Sequence, residues 1–223
     1  MNIKTTTALA LFPIILLAFI SMREQGNHTI SDQLQPKTNY KTVQIGDQVW
    51  MAESLDVTRY RNGDAIPQVT DPEKWRKMTT GAWCYYKNDP KNGKKYGKLY
   101  NWYAVHDPRG LAPAGWHVAD RGDWDKLAIH LGGHEIAAGK MKDKDQWKST
   151  GLKYDNSSGF TSRPGGGRYN NRYLSMNSNA NYWTDADSSE TQAFARFISV
   201  GSNTLFESEY AKHWGFSVRC VKD

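Results

Sequence analysis

Three tyrosines and three arginines set among glycines and asparagines are the residues of this chain best suited to chemistry with a ligand. Tyr169, Tyr173 and Tyr182, with Arg163, Arg168 and Arg172, all fall within RPGGGRYNNRYLSMNSNANYW, the run from Arg163 to Trp183. Aromatic faces beside amide and guanidinium donors are what sugar rings and peptide surfaces stack upon and hydrogen-bond to. Asn181 adds an amide, and Asp185 and Asp187 add carboxylates just beyond. Together Arg163, Arg168, Tyr169, Arg172, Tyr173, Asn181, Tyr182, Asp185 and Asp187 are read as an exposed ligand-binding surface.

Catalysis has weaker support in the same residues. Glycoside hydrolysis needs two carboxylates, and the nearest pairs are Asp120 with Asp123 and Asp185 with Asp187. Each has an ordinary local explanation, as a helix cap or as solvated groups near a turn. No Gly-x-Ser-x-Gly elbow and no HExxH zinc motif occurs. The triple glycine Gly165 to Gly167 lacks the Gly-Lys-Ser/Thr ending of a phosphate loop. The chain is therefore read as non-catalytic, with no resident cofactor and no metal. A carbohydrate-active or protein-modifying enzyme, and a structural surface protein without a small ligand, are the alternatives.

The elements that must position these side chains are organised around Tyr96 to Trp124. Tyr100, Trp102, Tyr103, Trp116 and Trp124 crowd into that span, and HDPRGLAPAG in its middle is too rich in Pro and Gly to continue a helix or central strand. Upstream, Val43 to Met51 reads as a hairpin about Gly46-Asp47, and Leu55 to Tyr60 as strand-like residues ending at an Asn62-Gly63 turn. Asp71 can cap a short helical turn opened by Pro72, Gly81 to Tyr86 is an aromatic strand, and Lys87 to Lys95 is a polar loop. Downstream, Asp120 can cap a helix over Arg121 to Leu131, with Trp124, Leu127 and Leu131 on one face and Gly132-Gly133 as its stop. Arg121-Gly122-Asp123 spells an adhesion tripeptide, but in the first turn of a helix it is not displayed on a loop. Glu135 to Met141 adds a second short helix, residues 143–181 read as a long irregular region, and Ala193 to Val200 and Phe216 to Val221 as late strands bridged by a polar turn.

At 223 residues the chain has room for one substantial domain with a leader and a linker. The apolar run Ala8 to Ile20 has the length of a signal-peptide core, shorter than the roughly 20 residues of a spanning helix. Residues 1–22 are read as a signal peptide, with an uncleaved anchor as the alternative, residues 23–42 as a polar linker, and 43–223 as the folded domain, secreted or held in the cell envelope. The 29 Lys and Arg against 23 Asp and Glu give a net charge of +6. This excess suits anionic glycans or surfaces as well as simple solubility, and nucleic acid is set aside for an exported chain. Only two cysteines occur, Cys84 and Cys220. In an exported chain they are expected to form a disulfide; the alternative is two buried free thiols.

Several motifs recur together in one family. YGKLYNWYAV, PAGWHV after a Gly-Leu-x-Pro turn, SGFTSRPGGGR and the closing GFSVRCVKD, with WMAESL, YRNGD and TTGAWCYY earlier, resemble the Fibrobacter succinogenes major paralogous domain over nearly all of 43–223. The resemblance implies an α+β, C-type lectin-like fold with two short helices, antiparallel strands and a long irregular loop region. It also implies an exported or surface-associated protein, for which the aromatic and arginine residues point to polysaccharide or a surface protein as the ligand. Family members often carry a third cysteine where this chain has Ala112, which leaves Cys84 with Cys220 as the only intramolecular pairing. A calcium-dependent sugar site of that fold would use Glu-Pro-Asn or Gln-Pro-Asp and Trp-Asn-Asp. Neither triplet occurs, and Trp183-Thr184-Asp185 stands in place of the last, so Asp185 and Asp187 are the remaining oxygen donors a calcium ion could use.

Overall fold

Gly46, at a φ of 64°, turns the chain between strand β1 (Thr42–Ile45) and strand β2 (Gln48–Met51), as the Gly-Asp signal predicts. The computed structural model describes residues 39–148 and 150–223, so the expected signal peptide and most of the expected linker lie outside the described residues. The hairpin is extended by the last strand of the chain, β11 (Cys220–Lys222), which joins β2 to β5 (Trp116–Val118) in the order β1-β2-β11-β5. One sheet thus ties both ends of the Tyr40–Asp223 unit to its middle.

A second sheet carries the site. It contains β6 (Gly165–Tyr169), β7 (Arg172–Met176), β8 (Asn179–Asp187), β9 (Gln192–Ser199) and β10 (Leu205–Ala211) in the order β10-β9-β8-β6-β7. Its pairings are antiparallel except β6 with β8. A small ladder of β3 (Trp83–Cys84) with β4 (Leu99–Tyr100) completes the strands. The fold is mixed α+β.

Five α-helices are described, where the resemblance implies two and the residues themselves three helical segments. All three segments form: α1 (Pro72–Arg76) is capped by Asp71, and α4 (Arg121–His130) opens on a capping box between Asp120 and Asp123. Trp124, Leu127 and Ala128 bury one face of α4, which is followed by α5 (His134–Met141). The helices not foreseen are α2 (Pro90–Tyr96) and α3 (Trp102–Val105). Asp89 accepts from the Lys91 amide at 2.9 Å with Pro90 following, the same Asp-Pro start that sets α1. Within Lys87 to Lys95 this start was outweighed by the polar composition. Asn101 caps α3 by accepting from the Ala104 amide at 3.1 Å.

The expected irregular region over 143–181 is also corrected, because its second half is sheet. Its glycines permit close packing: a Cβ on Gly166, which sits at a φ of 65°, would lie 2.3 Å from the Leu174 carbonyl, and one on Gly167 would lie 2.8 Å from the Phe216 ring. Glycine inside a strand marks such an approach as often as it marks a loop. The expected polar turn after Val200 likewise contains a strand, β10. Leu55 to Tyr60 contributes only the bridge of Arg59 to Ala65.

The expected disulfide is not formed; both cysteines are free and buried. Cys84 packs with Val69, Trp75 and Leu99, whereas Cys220 belongs to a separate cluster with Met51, Tyr100 and Val118. Each is held by its own ladder, Cys84 opposite Leu99 and Cys220 opposite Val118. Burial pushes the Cys220 thiol up to about 12 and raises that of Cys84. Among the described residues no helix is long and apolar enough to cross a membrane.

Candidate functional site

Alternation along a strand gives the five-stranded sheet two chemically different faces. On β10, Glu207 and Glu209 point one way and Phe206, Ser208 and Tyr210 the other. Register carries the division across the sheet: Phe206 lies opposite Phe197, Ser208 opposite Ala195, and Tyr210 opposite Ala193. Asn181 and Trp183 of β8 then fall opposite Phe197 and Ala195, on the same face.

The face that carries Glu207 is turned toward α4, against which Tyr182, Ile198 and Leu205 pack with Trp124 and Leu127, with charged groups beside them. Glu207 pairs with Arg121 at 2.6 Å and with Arg196 at 3.1 Å, and Arg196 also reaches Asp125 at 2.5 Å. Arg121 is thus engaged in the domain's own packing, with its guanidinium also 4.1 Å from the Phe194 ring centroid.

The other face is aromatic and only partly covered. Phe197 and Phe206 stack at 4.8 Å with 14° between their planes. Tyr210 meets Trp214 at 5.4 Å, and Trp214 meets Tyr169 at 4.8 Å. All five rings are partly exposed, while Trp183 and Phe216 are fully buried and form the floor. Phe216 touches Tyr169, Tyr210 and Trp214 at 5.5, 5.1 and 6.2 Å, so the floor holds the upper rings in edge-on contacts.

Polar groups fix the orientation of these rings. Asn170, in the β6–β7 turn, accepts from the Trp214 indole N–H at 3.3 Å and from His213 Nε2–H at 2.6 Å through one Oδ1. Burial, with Arg76 nearby, lowers the His213 pKa and favours the neutral ring that this contact uses. The buried Asn181 amide donates to Tyr169 OH at 3.2 Å and to the Gly166 carbonyl at 3.1 Å. Burial, then the neighbouring Tyr210, pushes the Tyr169 phenol up to about 12, so it remains protonated at neutral pH. Arg172, opposite Tyr169 in the hairpin, is exposed and places a guanidinium at the rim. The result is a fixed, largely uncharged aromatic surface with one cationic corner, suited to stacking on the C–H faces of sugar rings.

A family model described as the Fibrobacter succinogenes major domain matches residues 43–222. This chain belongs to that family. No curated protein and no solved structure matches the chain. The family motifs lie close to the aromatic face: GFSVRCVKD supplies the Phe216 floor and β11, and YGKLYNWYAV supplies β4 and α3.

In this Fibrobacter succinogenes major domain the residues singled out from sequence do not form one surface. Tyr169, Arg172 and Asn181 come together on the aromatic face, with Asn181 beneath it. Arg168 is a correction: it is 1% exposed and donates to the carbonyls of Val69, Thr70 and Asp71 at 2.8, 3.3 and 3.1 Å. Its guanidinium lies over Trp75 at 4.4 Å, with the half-buried Tyr173 at 5.3 Å, on the opposite side of the hairpin from Tyr169. Tyr182 is also buried rather than exposed, against Trp124 and Phe160, with its hydroxyl 2.9 Å from Ser162. Arg163 pairs with Asp143 at 3.0 Å.

Asp185 sits within a register shift at the end of β8 and Asp187 just after it. Asp185 meets His106 at 2.7 Å, and Asp187 meets the buried Lys212 at 3.4 Å. Trp102 links the two pairs, stacked on His106 at 4.6 Å and lying 4.3 Å from the Lys212 ammonium. Asp185 is therefore engaged by an imidazole and Asp187 by a lysine ammonium. Sequence reasoning missed Phe197, Phe206, Tyr210 and Trp214. The aromatic–charged alternation of FESEY, Phe206 to Tyr210, was the readable signal.

Proposed function

We propose that this domain is an exported, non-catalytic module of C-type lectin-like architecture that binds polysaccharide at the cell surface. The binding surface is the aromatic face made by Tyr169, Phe197, Phe206, Tyr210 and Trp214. The observation that carries this reading is the segregation of the two sheet faces. One packs on α4 through Tyr182, Ile198 and Leu205 with ion pairs beside them, while the other leaves five aromatic rings partly exposed, three of them resting on the Phe216 floor. Leaving such rings uncovered forfeits the burial energy of large apolar groups, and contiguous patches of this kind mark interaction sites. The hydrogen bonds from Asn181 and to Asn170 hold Tyr169 and Trp214 in place before ligand arrives, which lowers the ordering cost of binding.

Binding by stacking needs no calcium, and the pairing of Asp185 and Asp187 with His106 and Lys212 fits a calcium-independent site. The test is retention of the protein on a panel of immobilised polysaccharides, with calcium and with chelator, alongside release of reducing ends. Saturable, chelator-resistant retention without release is expected. Turnover that disappears in Asp185→Asn would replace the module with an enzyme centred on the His106–Asp185 pair.

A further inference from the structure

A groove of about 470 Å³ lies on another part of the molecule, between α5, the segment from Leu152 to Asp155, and Asn203 in the β9–β10 turn. Its volume falls in the range of about 300–1,000 Å³ typical of small-molecule sites. Ile136 and Leu152 are 48% and 39% exposed there, and Tyr154 supplies an aromatic wall. The walls are fixed by backbone bonds: the Asp155 amide donates to the Gly139 carbonyl at 3.2 Å, and the Ala138 amide to the Asn203 carbonyl at 3.0 Å. The Asn203 amide donates to the Lys153 carbonyl at 3.3 Å and lies directly over Gly139, where a Cβ would come within 2.9 Å of it.

Positive charge surrounds these apolar groups. Lys140 and Lys153 line the groove; Lys153 is exposed, while the Lys140 ammonium donates to the Leu131 carbonyl at 2.8 Å and contributes its charge from the wall. The one lining carboxylate, Asp155, is held below the usual range first by its hydrogen bonds to Ser157, then by Lys144 and Lys140 nearby. Behind Tyr154 stands Lys142, fully buried, with its ammonium 5.4 Å from the Tyr154 ring and 5.2 Å from the Trp147 ring. It donates to the Ser202 carbonyl at 2.7 Å and has no carboxylate partner among the described residues.

We infer that this groove is a second binding site, distinct from the aromatic face, and that it takes acidic saccharides whose uronate carboxylates meet the exposed Lys153, within the field of Lys140 and Lys142, while their ring C–H faces pack on Ile136, Leu152 and Tyr154. The polar character of half the lining argues against an acyl chain, which needs a continuous apolar sleeve. A peptide is disfavoured because the Asp155, Ala138 and Lys153 backbone groups that would pair with it are already bonded within the domain. The inference does not depend on the aromatic-face reading.

The experiment titrates the full chain with an oligogalacturonate and with a neutral gluco-oligosaccharide of equal length, by calorimetry and by NMR of isoleucine methyl groups. The uronate oligomer should bind, shift the Ile136 methyl signal, and lose affinity about tenfold when salt is raised from about 0.05 to 0.5 M, as screening shortens the reach of the lysines. Lys153→Glu should weaken binding about tenfold without unfolding, since only the Lys153 backbone carbonyl serves the fold. Tyr169→Ala/Trp214→Ala should leave it unchanged, which separates this site from the aromatic face. Equal binding of the neutral oligomer, indifference to Lys153→Glu, or no binding would overturn the inference. So would tighter binding at Ile136 of an acidic leucine-containing peptide than of the uronate.

Discussion

Replacing Arg168 with alanine should unfold the domain long before it impairs a ligand site. The guanidinium donates to three backbone carbonyls, Val69, Thr70 and Asp71, and stacks on Trp75. Hydrogen bonds from a charged group are worth about 1.5–3 kcal/mol each, but the longest of these, at 3.3 Å, contributes little. Two effective bonds and a desolvated cation–π contact of about 1–2 kcal/mol give a loss of roughly 4–8 kcal/mol, before any relaxation around the cavity. Because Asp71 also caps α1, the loss spreads into that helix and the Trp75 cluster. Against a total stability of about 5–15 kcal/mol this is a large fraction, and a Tm drop on the order of 10–20 °C is expected. Denaturant unfolding of the full chain, followed by tryptophan fluorescence, measures it. Arg168→Lys keeps the charge but not the forked geometry and should fall between the two. A loss below about 1 kcal/mol, together with lost polysaccharide binding, would refute the reasoning and return Arg168 to the ligand surface.

Other outcomes follow from the same geometry. His117 bridges Asp223 at 2.8 Å and Asp123 at 3.0 Å. Burial opposes its charge, but the hydrogen bonds to both carboxylates outweigh burial and raise its pKa. A raised folded-state pKa means that its contribution is fully present below about pH 6.5 and is lost as pH rises through the folded value. The Tm gap between wild type and His117→Gln should therefore shrink from pH 5.5 toward about pH 8.5; a constant gap would contradict the linkage. Desolvation lowers Lys142 to about 8, so it destabilises the folded state below that pH and less so as pH rises toward its unfolded value. Lys142→Met should gain stability relative to wild type at pH 6 and lose that advantage by about pH 10, read from denaturation midpoints. A thiol reagent should find neither cysteine in the native protein and two after denaturation, given that Cys84 and Cys220 are both buried and free. Gly166→Ala should cost more than about 2 kcal/mol, because its Cβ would collide with the Leu174 carbonyl and the residue occupies the left-handed region.

Much of the fold was legible where a local rule decides the structure. Gly46-Asp47, Asp71-Pro72 and the Asp120 cap each name an element whose cause lies within a few residues, and each formed. Long-range packing was not legible. The run RPGGGRY looks like a loop by composition, yet its glycines meet Leu174 of the adjoining strand and Phe216 from a distant part of the chain at close quarters. Tyrosines and arginines in that stretch looked alike in sequence, but alternation sends Tyr169 to the aromatic face and Arg168 into the core. Neither the partition of Cys84 and Cys220 into separate clusters nor the meeting of Trp214 with Tyr169 could be read from spacing, since both depend on which strands pair.

The most direct test of the central claim is an equilibrium binding isotherm of the full chain on a polysaccharide that retains it, measured beside Tyr169→Ala/Trp214→Ala. Both side chains are partly exposed, so circular dichroism should show the variant folded. Removing two central aromatic anchors is expected to weaken binding by at least about tenfold, or roughly 1.4 kcal/mol. An unchanged isotherm from a folded variant would contradict the assignment of binding to the aromatic face.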